Sequence, residues 1–154
     1  HLPSASLHSF RPVTPGRPLS LVPFIVTLVR SAHSPGMGEV GVHVPFGNAN
    51  GAIIKANGEN TLWHMGDTDI FSDMALLSEI HGVAACICPI GDRFTMGGAV
   101  AALACRRYFN FDKIIPIHWG TLPPLDQNPD KFREAMEGEA GKNLVPTVGE
   151  AFEG

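Results

Sequence analysis

The chain has 154 residues, 44% hydrophobic and 17% charged, which describes one folded domain of ordinary size and excludes disordered and fibrous classes. Eleven Lys and Arg against fifteen Asp and Glu leave a net charge of −4, so there is no basic footprint for gripping nucleic acid. Seventeen Gly and thirteen Pro argue for short elements and against a coiled coil, and the apolar run over residues 19–29 falls short of the roughly 18 to 20 residues that a membrane span needs.

The first 38 residues hold no Asp or Glu, six Ser, three Arg and six Pro. Prolines break helices and no apolar period leaves a face to bury, so residues 1–23 are expected to be an irregular segment ahead of a domain over residues 24–154. The same prolines argue against an amphipathic transit peptide, and a chain that begins with His1 is expected to be part of something longer.

Regular patterning starts at Phe24. Residues 24–29 are apolar and β-branched, and residues 52–56 and 61–65 flank Asn57-Gly58 as a hairpin. Met74, Leu76, Leu77 and Ile80 predict a helix over 72–80 behind Ser72 or Asp73 as N-cap. A strand over 83–89, a helix over 98–108 and a buried strand over 113–117 follow. The alternation of strand and helix predicts a layered α/β fold. After Pro123-Pro124, a helix over 129–136 begins at Asn128 with Pro129 in its first position, and 144–148 is expected to be a last edge strand.

Cys86, Cys88 and Cys105 make an odd count in a chain without a secretory signal, so free thiols in a reducing, cytoplasmic setting are expected. Cys86 and Cys88 share one strand face and read as small buried hydrophobes.

Chemistry concentrates at strand ends. Gly66-Asp67-Thr68 follows the strand over 61–65, Gly91-Asp92 follows the strand over 83–89, and His118 follows the strand over 113–117. His33 lies in the loop that leaves the first strand. In α/β sheets that rim gathers ligands and catalytic groups, and imidazole with carboxylate is a donor set for Zn or Mn. Taken singly, Asp67 reads equally as a turn cap, Asp92 beside Arg93 as a surface ion pair, and each His as an ordinary hydrogen-bonded side chain. His64 reads as structural or as support behind the site.

As an ordered series the blocks are more specific. Residues 24–34, 47–54 and 63–74, then Pro89-Ile90-Gly91-Asp92-Arg93-Phe94-Thr95-Met96-Gly97, Pro116-Ile117-His118-Trp119-Gly120-Thr121 and 141–150, resemble metal-dependent hydrolases related to L-ascorbate-6-phosphate lactonase, within the metallo-β-lactamase superfamily. The resemblance implies an αββα sandwich with a metal centre on its edge. It implies His33 on one metal, Asp67 bridging two, and His118 on the second. A metal-bound hydroxide would attack an ester, lactone or phosphodiester, with His64, Thr68, Asp92 and Thr121 orienting ligands or contacting substrate.

The family's His-x-His-x-Asp-His motif is absent from this sequence. The chain therefore resembles the C-terminal half of such an enzyme, with an incomplete metal centre and an N-terminal half or another subunit as the missing partner. A small-molecule substrate and a divalent cation, Zn or Mn, are the expected ligands. The rival expectation is a non-catalytic remnant of the fold that serves as a structural or binding module.

Overall fold

The computed structural model describes residues 15–21, 23–33, 36–37, 44–45, 47–139, 142, 145–147 and 149–150. Among these described residues, eight strands and three helices follow in the order β1 (Pro18–Leu21), β2 (Phe24–Arg30), β3 (Gly36–Met37), β4 (Val44–Pro45), β5 (Asn50–Ala56), β6 (Leu62–His64), α1 (Met74–His81), β7 (Ala85–Pro89), α2 (Gly98–Tyr108), β8 (Lys113–Ile117) and α3 (Asp130–Ala135). Six strands form one sheet in the order β1-β2-β5-β6-β7-β8, while β3 and β4 pair separately.

The Asn57-Gly58 hairpin joins β5 to β6 as the sequence predicts, with Gly58 at φ 81° and the Glu59 amide donating to the Ala56 carbonyl. From β6 onward the pairing turns parallel through β7 to β8, because each crossover carries a helix. β2 is antiparallel to β5, and β5 to β6. Consequently β2, β6, β7 and β8 all run the same way, and their C-terminal ends fall on one edge.

The register sorts the sheet into two unlike faces. Thr27, Ile53, Trp63, Cys86 and Ile114 form one cross-strand row, and every member is buried. The helices cover this side with Met74 from α1, Ala101, Ala102 and Cys105 from α2, and Phe132 from α3. Gly98 lets the α2 start approach α3, since a Cβ there would lie 2.7 Å from the Phe132 amide nitrogen. The opposite rows, Val26-Ile54-Leu62-Ala85 and Leu28-Ala52-His64-Ile87-Ile115, are only half-buried although nearly all apolar.

The structure refines or revises the sequence expectations at four points. Pro18–Leu21 is a strand within the stretch expected to be irregular. An edge position tolerates proline as the first strand residue, and backbone pairing to β2 needs no apolar period. Residues 1–14 of that stretch lie outside the described residues. Asp73 does occupy the N-cap of α1, but it makes no capping hydrogen bond, and the helix is held instead at Gly82, whose left-handed amide donates to Ser78 and Glu79. Asn128 accepts from the Asp130 amide at 3.1 Å, so α3 starts one residue later than its pattern suggests. The last strand expected over 144–148 falls partly outside the described residues, and 145–147 join no sheet. No helix among the described residues is long and apolar enough to cross a membrane.

Candidate metal and substrate site

The shared strand direction delivers His33, Asp67, Asp92 and His118 to the same edge of the sheet, each in the loop that follows β2, β6, β7 or β8. The β6 loop is the anchor. Ser31 donates its hydroxyl to the Met65 carbonyl at 2.7 Å in a buried contact, and His64 Nδ1 accepts the Gly66 amide at 3.2 Å. Gly66 sits at φ 67°, where a Cβ would lie 2.6 Å from the Asn50 carbonyl oxygen. Only glycine passes there without strain.

Thr68 is the hub of this edge. It is 1% exposed, its Oγ1 accepts the Ala32 amide at 2.9 Å and donates to the Asp69 carbonyl at 2.8 Å, and its own carbonyl accepts the Met96 amide at 3.0 Å. The Asp69 amide donates to Ala32 at 2.8 Å. The loop carrying His33, the turn carrying Asp67 and the loop carrying Asp92 are thus stitched together through one hydroxyl residue. Thr68 therefore supports the geometry of the site from within the core.

Among the sequence-predicted residues, Asp67 and His118 come together: His118 Nε2 lies 3.7 Å from Asp67 Oδ2. That spacing is too long for a hydrogen bond and leaves room for the two groups to address one ligand. The Asp67 side chain is half exposed, and that of His118 is 24% exposed. His118 Nδ1 is buried and has no hydrogen-bond partner among the described residues. Gly91 is buried under His118, and a Cβ on it would meet the His118 backbone oxygen and lie 2.6 Å from Nδ1.

Asp92 at φ 71° and His118 at φ 63° are the non-glycine residues with positive φ among those described. Left-handed backbone costs an ordinary residue about 1–2 kcal/mol, so its occurrence at these strand ends marks loops held by their surroundings. Asp92 is pinned by its amide donating to Met96 and its carbonyl accepting Thr95. His33 lines a neighbouring cleft of about 860 Å3 that Asp92 also lines, but Asp67 and His118 do not. Thr121 is exposed in the loop beyond His118. His64, half-buried, spends Nδ1 on the Gly66 amide and so shapes the turn.

The donors match a divalent cation in kind, carboxylate with imidazole, and the pair spacing permits a shared ion. Among the described residues, however, no three His, Cys, Asp or Glu side chains are grouped to hold one. Sequence reasoning missed Arg30, Asp69 and Asn50, which line the cleft with Arg93. Arg30 was discoverable as the charged end of an apolar strand three residues before His33; Asn50 and Asp69 carry no such signal.

The chain is 49% identical over 152 residues to a UPF0173 metal-dependent hydrolase of Azorhizobium caulinodans, matching 99% of this chain and 64% of that protein. It is 52% identical over 130 residues to another of Mesorhizobium japonicum, covering 84% of this chain and 55% of that protein. Its homologues are metal-dependent hydrolases. The chain thus spans between about half and two thirds of the length of these curated relatives. Among solved structures, the metallo hydrolase Igni18 of Ignicoccus hospitalis superposes with a TM-score of 0.72 at 26% identity, over 90% of this chain and 57% of that one. A zinc-dependent hydrolase of the metallo-β-lactamase superfamily from Thermotoga maritima superposes at 0.61 and 20% identity, over 84% of this chain and 60% of that one, a likeness of fold. No protein-family model matches the chain.

Proposed function

We propose that this chain is the C-terminal part of a lactonase-like metal-dependent hydrolase that cleaves an ester, lactone or phosphodiester in a small molecule. The juxtaposition of Asp67 and His118 at 3.7 Å, on the edge where four strands end, carries this reading. His33, Asp67 and His118 would hold Zn or Mn, which when bound supplies a Lewis acid for the scissile bond and for activation of water. Asp67 contributes the charge that offsets the cation, and its half-exposed carboxylate needs little rearrangement to do so. His118 presents Nε2 toward Asp67 from a backbone fixed by Gly91 below it. Thr68 keeps the His33 loop in register with the Asp67 turn. Asp92 and Thr121 are assigned to orientation or substrate contact.

The metal centre is incomplete in this chain on this reading, and further ligands come from an N-terminal half or another subunit. The apolar, half-buried sheet face opposite the helices supports the placement of a second layer there, which would complete an αββα sandwich. The three unpaired, buried thiols accord with a cytoplasmic setting.

A second reading, a non-catalytic module that keeps the fold for binding or structure, is favoured by one observation: among the described residues only two candidate ligands converge. Calorimetric titration of the chain with zinc and manganese separates the two. The hydrolase reading expects stoichiometric uptake that Asp67→Asn abolishes and that His118→Ala and His33→Ala each weaken. Absence of uptake under saturating metal would leave the module.

A further inference from the structure

His118 stands at the end of β8 with a left-handed backbone, and such a conformation lasts only where its neighbours over-determine it. Gly91 supplies the space beneath the ring. What fixes these two residues against each other lies later in the chain, in residues 118–129, which join β8 to α3 without helix or strand.

This stretch first closes on itself. The Gln127 side-chain amide donates to the Leu122 carbonyl at 2.9 Å and to the Leu125 carbonyl at 2.7 Å, the Leu125 amide donates to Leu122 at 3.0 Å, and the Leu125 side chain is buried. Asp126 then joins the closed loop to the site edge on both sides of His118. Its amide donates to the Gly91 carbonyl at 3.1 Å, and its carbonyl accepts the Gly120 amide at 2.9 Å. One residue therefore holds both the glycine under His118 and the glycine two positions after it.

Main-chain contacts of this kind are only as fixed as the residue that makes them, and the Asp126 side chain supplies the fixing. Its carboxylate, 19% exposed, takes the Lys131 ammonium at 2.7 Å. That hydrogen bond and the Asp126 charge raise the Lys131 pKa above its ordinary range, with a smaller contribution from the charge of Asp92. Lys131 stands in the first turn of α3, and its Cβ lies 3.1 Å from where a Cβ on Gly98, the first residue of α2, would sit. The next residue, Phe132, is fully buried. Support thus runs from the core through α3, Lys131 and Asp126 to the two glycines, and it ends at His118. A partly exposed ion pair adds little to global stability, so the effect of this one is local: it sets where the loop stands.

We propose that Asp126, clamped by Lys131, is a positioning residue for His118, setting the His118 loop against the β7 loop and so the direction in which Nε2 meets Asp67 and a shared cation. The consequence for a cation rests on the hydrolase reading, whereas the placement of His118 does not.

The test compares the 154-residue chain with Asp126→Asn, Lys131→Met and Lys131→Arg, first without metal and then titrated with zinc alone. Asp126→Asn and Lys131→Met melt within about 4 °C of the parent, the range of a partly exposed pair. In the metal-free chain both variants speed hydrogen exchange at the amides of residues 120 and 126 by about tenfold and shift the His118 imidazole NMR signals, while the Ile53 and Trp63 amides keep their rates. Lys131→Arg keeps the parent's values. In zinc titrations the two variants lose about tenfold in affinity, and Asp126→Asn costs nothing further once His118 is replaced by Ala. Unchanged exchange and imidazole signals, faster exchange spread across the central sheet, or Lys131→Arg behaving as Lys131→Met overturns the proposal. So does a zinc affinity loss that persists in the His118→Ala background. A parent chain that takes up no zinc would sink the hydrolase reading, and the metal-free exchange and imidazole signals would still decide the positioning role.

Discussion

Replacing Gly91 with Ala tests whether the His118 loop is built as described. Gly91 has no positive φ, so alanine meets no backbone penalty there, and the whole cost is steric. The new Cβ would strike the His118 carbonyl oxygen and lie 2.6 Å from Nδ1. A main-chain oxygen at the end of a sheet strand cannot rotate away as a side chain can, so β8 and its loop must shift together. Overpacking of this kind costs about 3 kcal/mol or more. At roughly 2–4 °C per kcal/mol for a chain of this size, the thermal midpoint falls by about 6–12 °C. Gly58→Ala is the internal comparison, because Gly58 at φ 81° has nothing within 4 Å of a Cβ, so alanine there meets only the strain of a left-handed backbone. That variant costs about 1 kcal/mol, or about 3 °C. Calorimetric melting of both variants beside the parent decides the matter. A Gly91→Ala midpoint no lower than that of Gly58→Ala would refute the packing of His118 over residue 91.

His118 at φ 63° predicts an inversion of the usual order of substitutions: His118→Gly melts higher than His118→Ala, by about 1 kcal/mol of stability, because glycine alone relieves the left-handed strain. Equal midpoints would mean that the loop relaxes once the ring is gone. Burial and the nearby Lys55 lower the pKa of His81 below its ordinary 6.5. Between the lowered value and 6.5 the unfolded chain binds the proton more readily, so the His81 contribution is complete above 6.5 and is lost as pH falls. Denaturant unfolding across that interval should show a smaller pH dependence for His81→Gln than for the parent. Burial raises the Cys86 thiol well above its usual range, while hydrogen bonds from Cys86 and Cys88 draw Cys105 down to about 5. Access outweighs acidity here, since Cys86 and Cys88 are 0% exposed and Cys105 is 4% exposed. All three are expected to alkylate slowly in the folded chain and together on denaturation, and rapid labelling of Cys105 alone at neutral pH would contradict the packing.

The strands of the central sheet were legible because each has a physical signature that does not depend on the rest of the chain. β2 is a β-branched run, β5 and β6 flank a turn that demands glycine, and β7 and β8 are short apolar segments separated by helical periods. The loops carrying Asp67, Asp92 and His118 were legible for the same reason, as strand-to-helix or strand-to-turn junctions. What escaped notice depends on partners distant in sequence. β1 exists through its ladder to β2, not through its own composition. The bonding of Thr68 to Ala32 spans 36 residues, and no local pattern announces it. Arg30 and Arg93 are 63 positions apart, and only the parallel run of β2 and β7 makes them neighbours around a cleft.

The two faces of the sheet explain how a site can be shaped here and still lack ligands. The buried face is complete: Trp63, Cys86 and Ile114 are roofed by three helices, and the ends of β6, β7 and β8 are therefore held firmly enough to sustain left-handed Asp92 and His118. The opposite face, with Ile54, Leu62, Ile87 and Ile115 half-buried, has no comparable cover among the described residues. A layer packed on it would bring its own loops to the same edge, adding donors beside Asp67 and His118 without moving strands that the helices already fix. Metal affinity should then rise steeply when that layer is supplied.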